Sequence, residues 1–213
     1  GEISKMSKIT NTGVFIVEGS AAATDVAGSG QIWVKSDTPS SLYYTNDAGT
    51  DFRMGGITLG ANTATTSGTS IDFLSIPSGV KEINIMFDGV SGSGTSEMLV
   101  QIGDASGGIE NTGYESLTLE INSGGVTPDS ATAGFIIESN ASASNVYRGI
   151  ITLLLKDSAT FTWVESGRMG RSTTTQQASE GVKALSAELD RVRITHENGS
   201  DTFDAGSINI SYS

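Results

Sequence analysis

His196 is the only histidine in the chain, and a Ser-His-Asp triad would need it as the base. It lies in Thr195-His196-Glu197-Asn198-Gly199. Asn-Gly is a strong hairpin-turn signal, so this reads as an exposed neighbour of a turn, with no catalytic role assigned. Asn198, Asp201 and Asp204 form an oxygen-rich loop that could offer three ligands to a calcium ion, which takes roughly six to eight. Their spacing fits no EF-hand, and turn formation accounts for them. Asn46, Asp47 and Asp51 receive the same reading, and no metal site is expected. Glycoside hydrolysis needs two carboxyls about 5–10 Å apart across a cleft. Glu115, Glu120, Glu138 and Glu165 all fall on strand-like segments and are expected on the solvent side, so no pair is assigned.

Binding chemistry is more plausible than catalysis. Trp163, in Thr160-Phe161-Thr162-Trp163-Val164-Glu165, shares parity with Phe161 and Glu165. Exposed, its indole would stack on the apolar face of a sugar; a core aromatic is the simpler account. Ser166 to Gly181, reading SGRMGRSTTTQQASEG, is the longest polar run without a strand pattern, and it carries Arg168 and Arg171. Long irregular loops are commonly functional or disordered, so receptor contact is one expectation for these arginines. The nearest acids in sequence are Glu165 and Glu180 at the edges of the run, so pairing across a subunit interface is the other. Trp163, Arg168 and Arg171 are therefore the candidate receptor or glycan contacts. No catalytic residue and no cofactor are expected.

Composition narrows the classes. The chain has 213 residues, 27 Gly, 3 Pro and no Cys, and only 17% of it is charged. Without Cys there is no disulfide framework, zinc-thiolate site or thiol nucleophile. The formal net charge of -12 repels phosphate backbones and anionic lipid, so neither nucleic-acid binding nor membrane association is expected. No apolar run approaches the roughly 18 residues of a membrane span. No signal peptide is visible, and the start at Gly1 suggests an excerpt or a processed product. The sequons at Asn140, Asn198 and Asn209 are read as chance matches.

Strands must position whatever these residues do. Val14 to Val17 suggests a short strand, and Gly19 to Gly30 reads as a small-residue loop. From Gly30 to Phe52, GQIWVKSDTPSSLYYTNDAGTDF alternates around a turn at Asp37-Thr38-Pro39-Ser40 and turns again at Asn46-Asp47-Ala48-Gly49. A two-stranded hairpin is marginal in water, so it needs a partner. Trp33, Tyr43 and Tyr44 are the candidate contacts between copies.

From residue 57 strands recur at sandwich-like spacing: Ser70–Ile76, Val80–Val90, Glu97–Ile102, Gly113–Asn122, Gly134–Glu138, Val146–Leu155, Thr160–Glu165, Lys183–Thr195 and Gly206–Tyr212. Apolar Leu117, Leu119 and Ile121 alternate with Thr118 and Glu120, as expected of a sheet solvated on one side. Leu185, Ala187 and Leu189 share a parity opposite to that of Val192 and Ile194, which demands a bulge near Asp190-Arg191. A helix over Ala178 to Val192 is the alternative, interrupted by Gly181. The expected fold is all-β: a short N-terminal β-hairpin region over residues 1–56, then an antiparallel, jelly-roll-like β-sandwich over residues 57–213.

The stretch from Gly30 to Phe52 resembles a unit of tailed-bacteriophage virion proteins, especially marine ones, near the head or base of a fibre. Thr69 to Lys81, Val100 to Asp104, Gly113-Tyr114, Leu189 to Thr195 and Asp201 to Ile210 resemble a β-sandwich domain of phage tail and fibre proteins. The resemblance implies a structural or adhesive part of a tail, fibre or head decoration, often a homotrimer, contacting other virion proteins and a host-surface glycan or protein. It implies a virion location after synthesis in the host cytoplasm, and no catalytic residues. Fibre proteins usually begin with an anchoring domain or long coiled coil, and residues 1–29 show neither. A lectin or carbohydrate-binding module is the alternative, and a capsule depolymerase the third reading.

Overall fold

A computed structural model describes residues 8–10, 13–15, 18–24, 28–36, 41–171 and 173–213. The chain divides into two compact units, Gly1–Gly56 and Ile57–Ser213. It is all-β: among the described residues every regular element is a strand.

Unit 1 contains β1 (Lys8–Thr10), β2 (Gly13–Phe15), β3 (Glu18–Gly19), β4 (Gln31–Lys35), β5 (Ser41–Thr45) and β6 (Asp51–Arg53). β1 and β2 pair with each other, and β3-β4-β5-β6 form a second small sheet. Ile16, Val17 and the turn at Asp37 to Ser40 lie outside the described residues. The turn expected at Asn46 is present, with Asn46 Oδ1 accepting the Ala48 and Thr50 amides at 3.1 and 2.8 Å. Strand alternation gives the β4-β5-β6 sheet two unlike faces. One holds Trp33, Tyr43 and Arg53 in register. The other holds Ile32, Tyr44 and Phe52 in one row and Val34 and Leu42 in the next.

Unit 2 is a β-sandwich. Its strands are β7 (Thr58–Leu59), β8 (Thr63–Ala64), β9 (Ser70–Leu74), β10 (Glu82–Gly92), β11 (Met98–Asp104), β12 (Gly108–Ile109), β13 (Glu115–Asn122), β14 (Gly125–Ala131), β15 (Phe135–Ile136), β16 (Tyr147–Asp157), β17 (Thr162–Gly170), β18 (Gln176–Ala184), β19 (Leu189–His196) and β20 (Phe203–Tyr212). The large sheet runs β14-β13-β18-β17-β16-β10-β20-β7, with β8 also on β20. The small sheet runs β12-β11-β19-β9, with β15 also on β11. Ile83, Ile85 and Phe87 from β10, with Ile151 and Leu153 from β16, face Val100, Ile102, Val192 and Ile194 across the core. The outer side of β11 is covered too, because Leu99 packs with Ala131 and Ile136.

Three sequence expectations need correction here. Ser166 to Gly181 is not a loop: β17 and β18 form a hairpin through it, closed by Arg171 N donating to Thr175 O at 3.1 Å. Gly125 to Ala131, read as no strand at all, forms the edge of the large sheet, where Pro128 is tolerated. Lys183 to Thr195 is two strands in different sheets, joined by a crossing at residues 185–188. The expected bulge is present, since Gly103 pairs with Arg191 while Asp104 pairs with Leu189, leaving Asp190 as the extra residue. The helix alternative is excluded because the same segment supplies β18 and β19.

The crossing is held by one carboxylate. Asp104 Oδ1 accepts the Ser106 and Gly107 amides at 2.9 and 2.6 Å, and Oδ2 accepts Ser186 Oγ and the Ala187 amide at 2.8 and 2.9 Å. These donors favour the ionised form and outweigh burial, so the carboxyl titrates well below the usual range. On the opposite side Gly206 (φ 89°) lies against Gly89, where an added Cβ would come within 2.4 Å of the Gly89 carbonyl. That contact permits the bulge between β10 and β20 near Asp88.

Asp104→Asn should lower stability by about 2 kcal/mol at pH 7, because an amide nitrogen cannot accept the same donors. The wild-type advantage is present above the unfolded-state pKa of about 3.9 and is lost as pH falls towards the depressed native value. The gap between the two proteins in urea melts should therefore be narrower at pH 3 than at pH 7, with part of it remaining because the native carboxyl is still ionised at pH 3.

Candidate functional site

The residues singled out by sequence converge on the β17-β18 hairpin and its neighbour β13, but in different roles. Trp163 is not a surface residue. It is 2% exposed and belongs to the core, which removes it as a glycan contact. Glu165, two residues on and on the same face, follows it inside at 1% exposure. The solvent-side expectation is also wrong for Glu120 and Glu138, both buried; only Glu115 is exposed.

Arg171 is not free to meet a receptor. It closes the hairpin turn and forms a two-nitrogen ion pair with Glu120, while Nη1 also donates to the Asn140 carbonyl at 3.3 Å. Gln177 Nε2 completes the cluster, donating to Glu120 Oε2 and to the Ser139 carbonyl, both at 3.3 Å. A buried carboxylate without this company would be very costly. Arg168 lies exposed on the outer face of the large sheet and donates to Gln176 Oε1 at 3.5 Å.

The other two buried glutamates are only half satisfied. Glu165 Oε1 accepts from Ser179 Oγ at 2.7 Å, and Glu138 Oε1 accepts from the Met98 amide at 2.8 Å. Oε2 of each lacks a well-aligned hydrogen-bond partner, although the Tyr147 hydroxyl lies beside the Glu138 carboxyl. Burial pushes both groups up to about 7. Their buried position was available to sequence reasoning in one case: Glu165 shares parity with Trp163, so a core indole implies a core carboxyl. Glu120 and Glu138 carried no such mark.

His196 is not an exposed turn residue. It is 3% exposed and packs on Phe203 at 4.8 Å between ring centroids. Burial lowers its proton affinity, and its Nδ1 has no hydrogen-bond partner, so that nitrogen activates no hydroxyl. In the following turn Asn198 Oδ1 accepts the Ser200 and Asp201 amides at 2.9 and 3.0 Å, and Asp201 Oδ2 accepts the Ser96 amide at 3.1 Å. Those oxygens are occupied by the turn itself. Among the described residues no group of three or more acidic or histidine side chains converges as a metal site.

In unit 1, Trp33 is likewise committed to its own sheet. Its Nε1 donates to Thr45 Oγ1 at 2.8 Å and its ring stacks on Tyr43 at 5.2 Å, leaving it 8% exposed. It is therefore mostly covered within its own copy, and Tyr43 is partly covered by the same stack. Tyr44 is on the other face, exposed, and stacks on Phe52 at 6.4 Å.

One open groove adjoins the hairpin tip. It has a volume of about 410 Å³ and is lined by Ile121, Asn122, Gly170, Thr173, Thr174, Thr175 and Gln176. The lining is hydroxyl, amide and aliphatic, with no charge. Comparisons with protein-family models, with curated proteins and with solved structures give no match to this chain.

Two outcomes follow from this arrangement. Arg171→Ala strands a buried carboxylate and should destabilise by about 3 kcal/mol, whereas exposed Arg168→Ala should stay within about 0.5 kcal/mol in chemical denaturation. Glu165→Gln tests the raised carboxyl. The native state keeps that proton up to about pH 7 while the unfolded chain releases it near pH 4.3, so wild-type stability falls across this window. The variant should show a flatter profile and gain about 1–3 kcal/mol relative to wild type at pH 8.

Proposed function

We propose that this chain is a structural component of a tailed-phage particle, in a fibre, tail or head decoration, that assembles through unit 1 and presents unit 2 for contact with other virion proteins or the host surface. The resemblance of Gly30 to Phe52, and of segments spread through unit 2, to such proteins supports this reading. The observation that carries it is the bare apolar face of the unit 1 sheet. Ile32 is 54% exposed and Phe52 46%, and Leu42, Tyr44 and Met54 are exposed beside them. A sheet this small is not stable with one apolar face in water.

The patch spans three strands and two to three rows, about 200 Å² in plan. Two copies meeting face to face would cover far less than the roughly 1,000 Å² of a specific pair. The resemblance to fibre proteins, often homotrimers, is what favours three copies around one axis, each turning this face inward. Multivalent display then strengthens weak individual contacts through effective concentration. The reading assigns no catalysis, cofactor or nucleic-acid contact.

The second reading, a carbohydrate-binding module, is favoured by the groove at the hairpin tip. Its uncharged hydroxyl and amide lining suits a neutral polyol, with Ile121 as the apolar wall. A glycan array without hits removes it.

Light scattering at micromolar concentration should give a multiple of three chains of 22.0 kDa. Tyr44→Ser combined with Phe52→Ser should lower that mass while leaving the unit 2 melting transition in place. A wild-type mass of one chain would refute assembly and with it the particle reading.

A further inference from the structure

We infer that the outer face of the large sheet in unit 2 is a second self-association surface, on which another copy of this chain packs face to face about a two-fold axis. The inference does not depend on the unit 1 contact or on the particle reading.

The first ground is inverted polarity. Strand alternation places Leu117, Leu119 and Ile121 of β13 opposite in direction to Thr118 and Glu120. Thr118 and Glu120 are the buried pair, so the three aliphatics point outward. The same inversion occurs in β17, where Glu165 is buried and Val164 exposed, and in β18, where Gln177 and Ser179 are buried and Val182 points outward. In β16 the outward Ile150 and Leu154 are 42% and 48% exposed. Exposed single aliphatics are ordinary, but a set running in register across adjacent strands is not. Met86, Ile150, Arg168, Ala178, Leu119 and Pro128 form one such cross-sheet row.

Charge is the second ground. The centre of this face carries one cation and one anion, Arg168 and Glu180. They sit on neighbouring strands in neighbouring rows, since Arg168 pairs with Ala178 and Ser166 with Glu180. Arg168 takes only the amide of Gln176 and forms no ion pair with Glu180 among the described residues. An isologous contact brings residue i of one copy to residue j of the other and j to i. An axis passing between Arg168 and Glu180 therefore makes two reciprocal ion pairs, with Ile150 beside Arg168 and Leu117 beside Glu180. The residues at that centre, Ser166 and Ala178, are small enough for close approach.

Size is the third. Six strands at about 4.8 Å spacing and three rows span about 25 Å by 20 Å. Two such faces cover about 1,000 Å² in plan, which reaches the range of specific interfaces. A foreign protein or a glycan could also lie on an apolar sheet, but neither would account for the paired opposite charges at its centre.

The test is charge reversal in the full chain, read by sedimentation velocity across a concentration series. Arg168→Glu and Glu180→Arg should each weaken one association step at least tenfold, and the double variant should restore it to within about threefold of wild type. Ser166→Cys, in a chain with no native Cys, should give a covalent pair of twice the 22.0 kDa chain mass on mild oxidation, abolished by Arg168→Glu. Single variants that associate as wild type does, or a double variant no better than the singles, would overturn the inference. Failure of the unit 1 contact is read separately: Tyr44→Ser with Phe52→Ser leaves the Ser166→Cys cross-link intact if the sheet face acts as inferred.

Discussion

Burial of Glu120 beside Arg171 decides how one half of the sandwich is oriented. A β-strand offers no intermediate choice: when one side chain turns inward, its neighbours turn outward. Glu120 reaches Arg171 and Gln177 only from the inner side of the large sheet, and the three make a satisfied cluster with the Asn140 and Ser139 carbonyls. Placing Glu120 inside commits β13 to displaying Leu117, Leu119 and Ile121. The register with β18 and β17 then carries the same choice across two more strands. Bare aliphatic surface and buried polar cluster are thus two consequences of one parity.

The sandwich is consequently divided in character along its width. Around β10, β16 and β20 the interior is aliphatic, with Ile83, Ile85, Ile151, Leu153, Ile208 and Ile210 packed in one core. Around β13, β17 and β18 it holds Thr118, Glu120, Glu165, Gln177, Ser179 and Lys183. The first half is the ordinary outcome of burying apolar area. In the second, a carboxyl such as Glu165 with an unsatisfied oxygen subtracts from stability at neutral pH. The fold tolerates this because anchors elsewhere are well made. Asp104 joins the crossing at residues 185–188 to the β11-β12 turn, and Tyr114 accepts from the Ile102 amide at 2.8 Å while its ring meets Phe135 edge-on.

Much of the fold was legible because it depends on local alternation. β9, β10, β16, β19 and β20 carry apolar residues on their inner faces, and they appear near where periodicity put them. The clash of parity between Leu189 and Val192 marks the bulge at Asp190 in the sequence itself. The failures have separate causes. Reading apolar as inward assumes that charged side chains find no partners in the interior. β13 breaks that assumption, so Leu119 was placed inside and Glu120 outside. Ser166 to Gly181 hid a hairpin because its inward positions are Gly167, Met169, Gln177, Ser179 and Gly181, only one of them a large apolar residue. Gly125 to Ala131 hid an edge strand behind Pro128.

The candidate contacts follow the same logic. Residue type predicted that Trp33 and Trp163 would be used, and they are used, but for holding strands together within one copy. Indole rings are the most costly side chains to leave in water, so a single fold covers them first. What remains uncovered is the next tier: Tyr44, Phe52, Ile32, Ile150, Leu154 and Val164. Each contributes modestly, and none would mark a binding site alone. In register on their sheets they form continuous faces, and an open sheet face lacks the concave pocket that a small ligand needs. The proposed contacts between copies rest on these two exposed faces, not on the tryptophans.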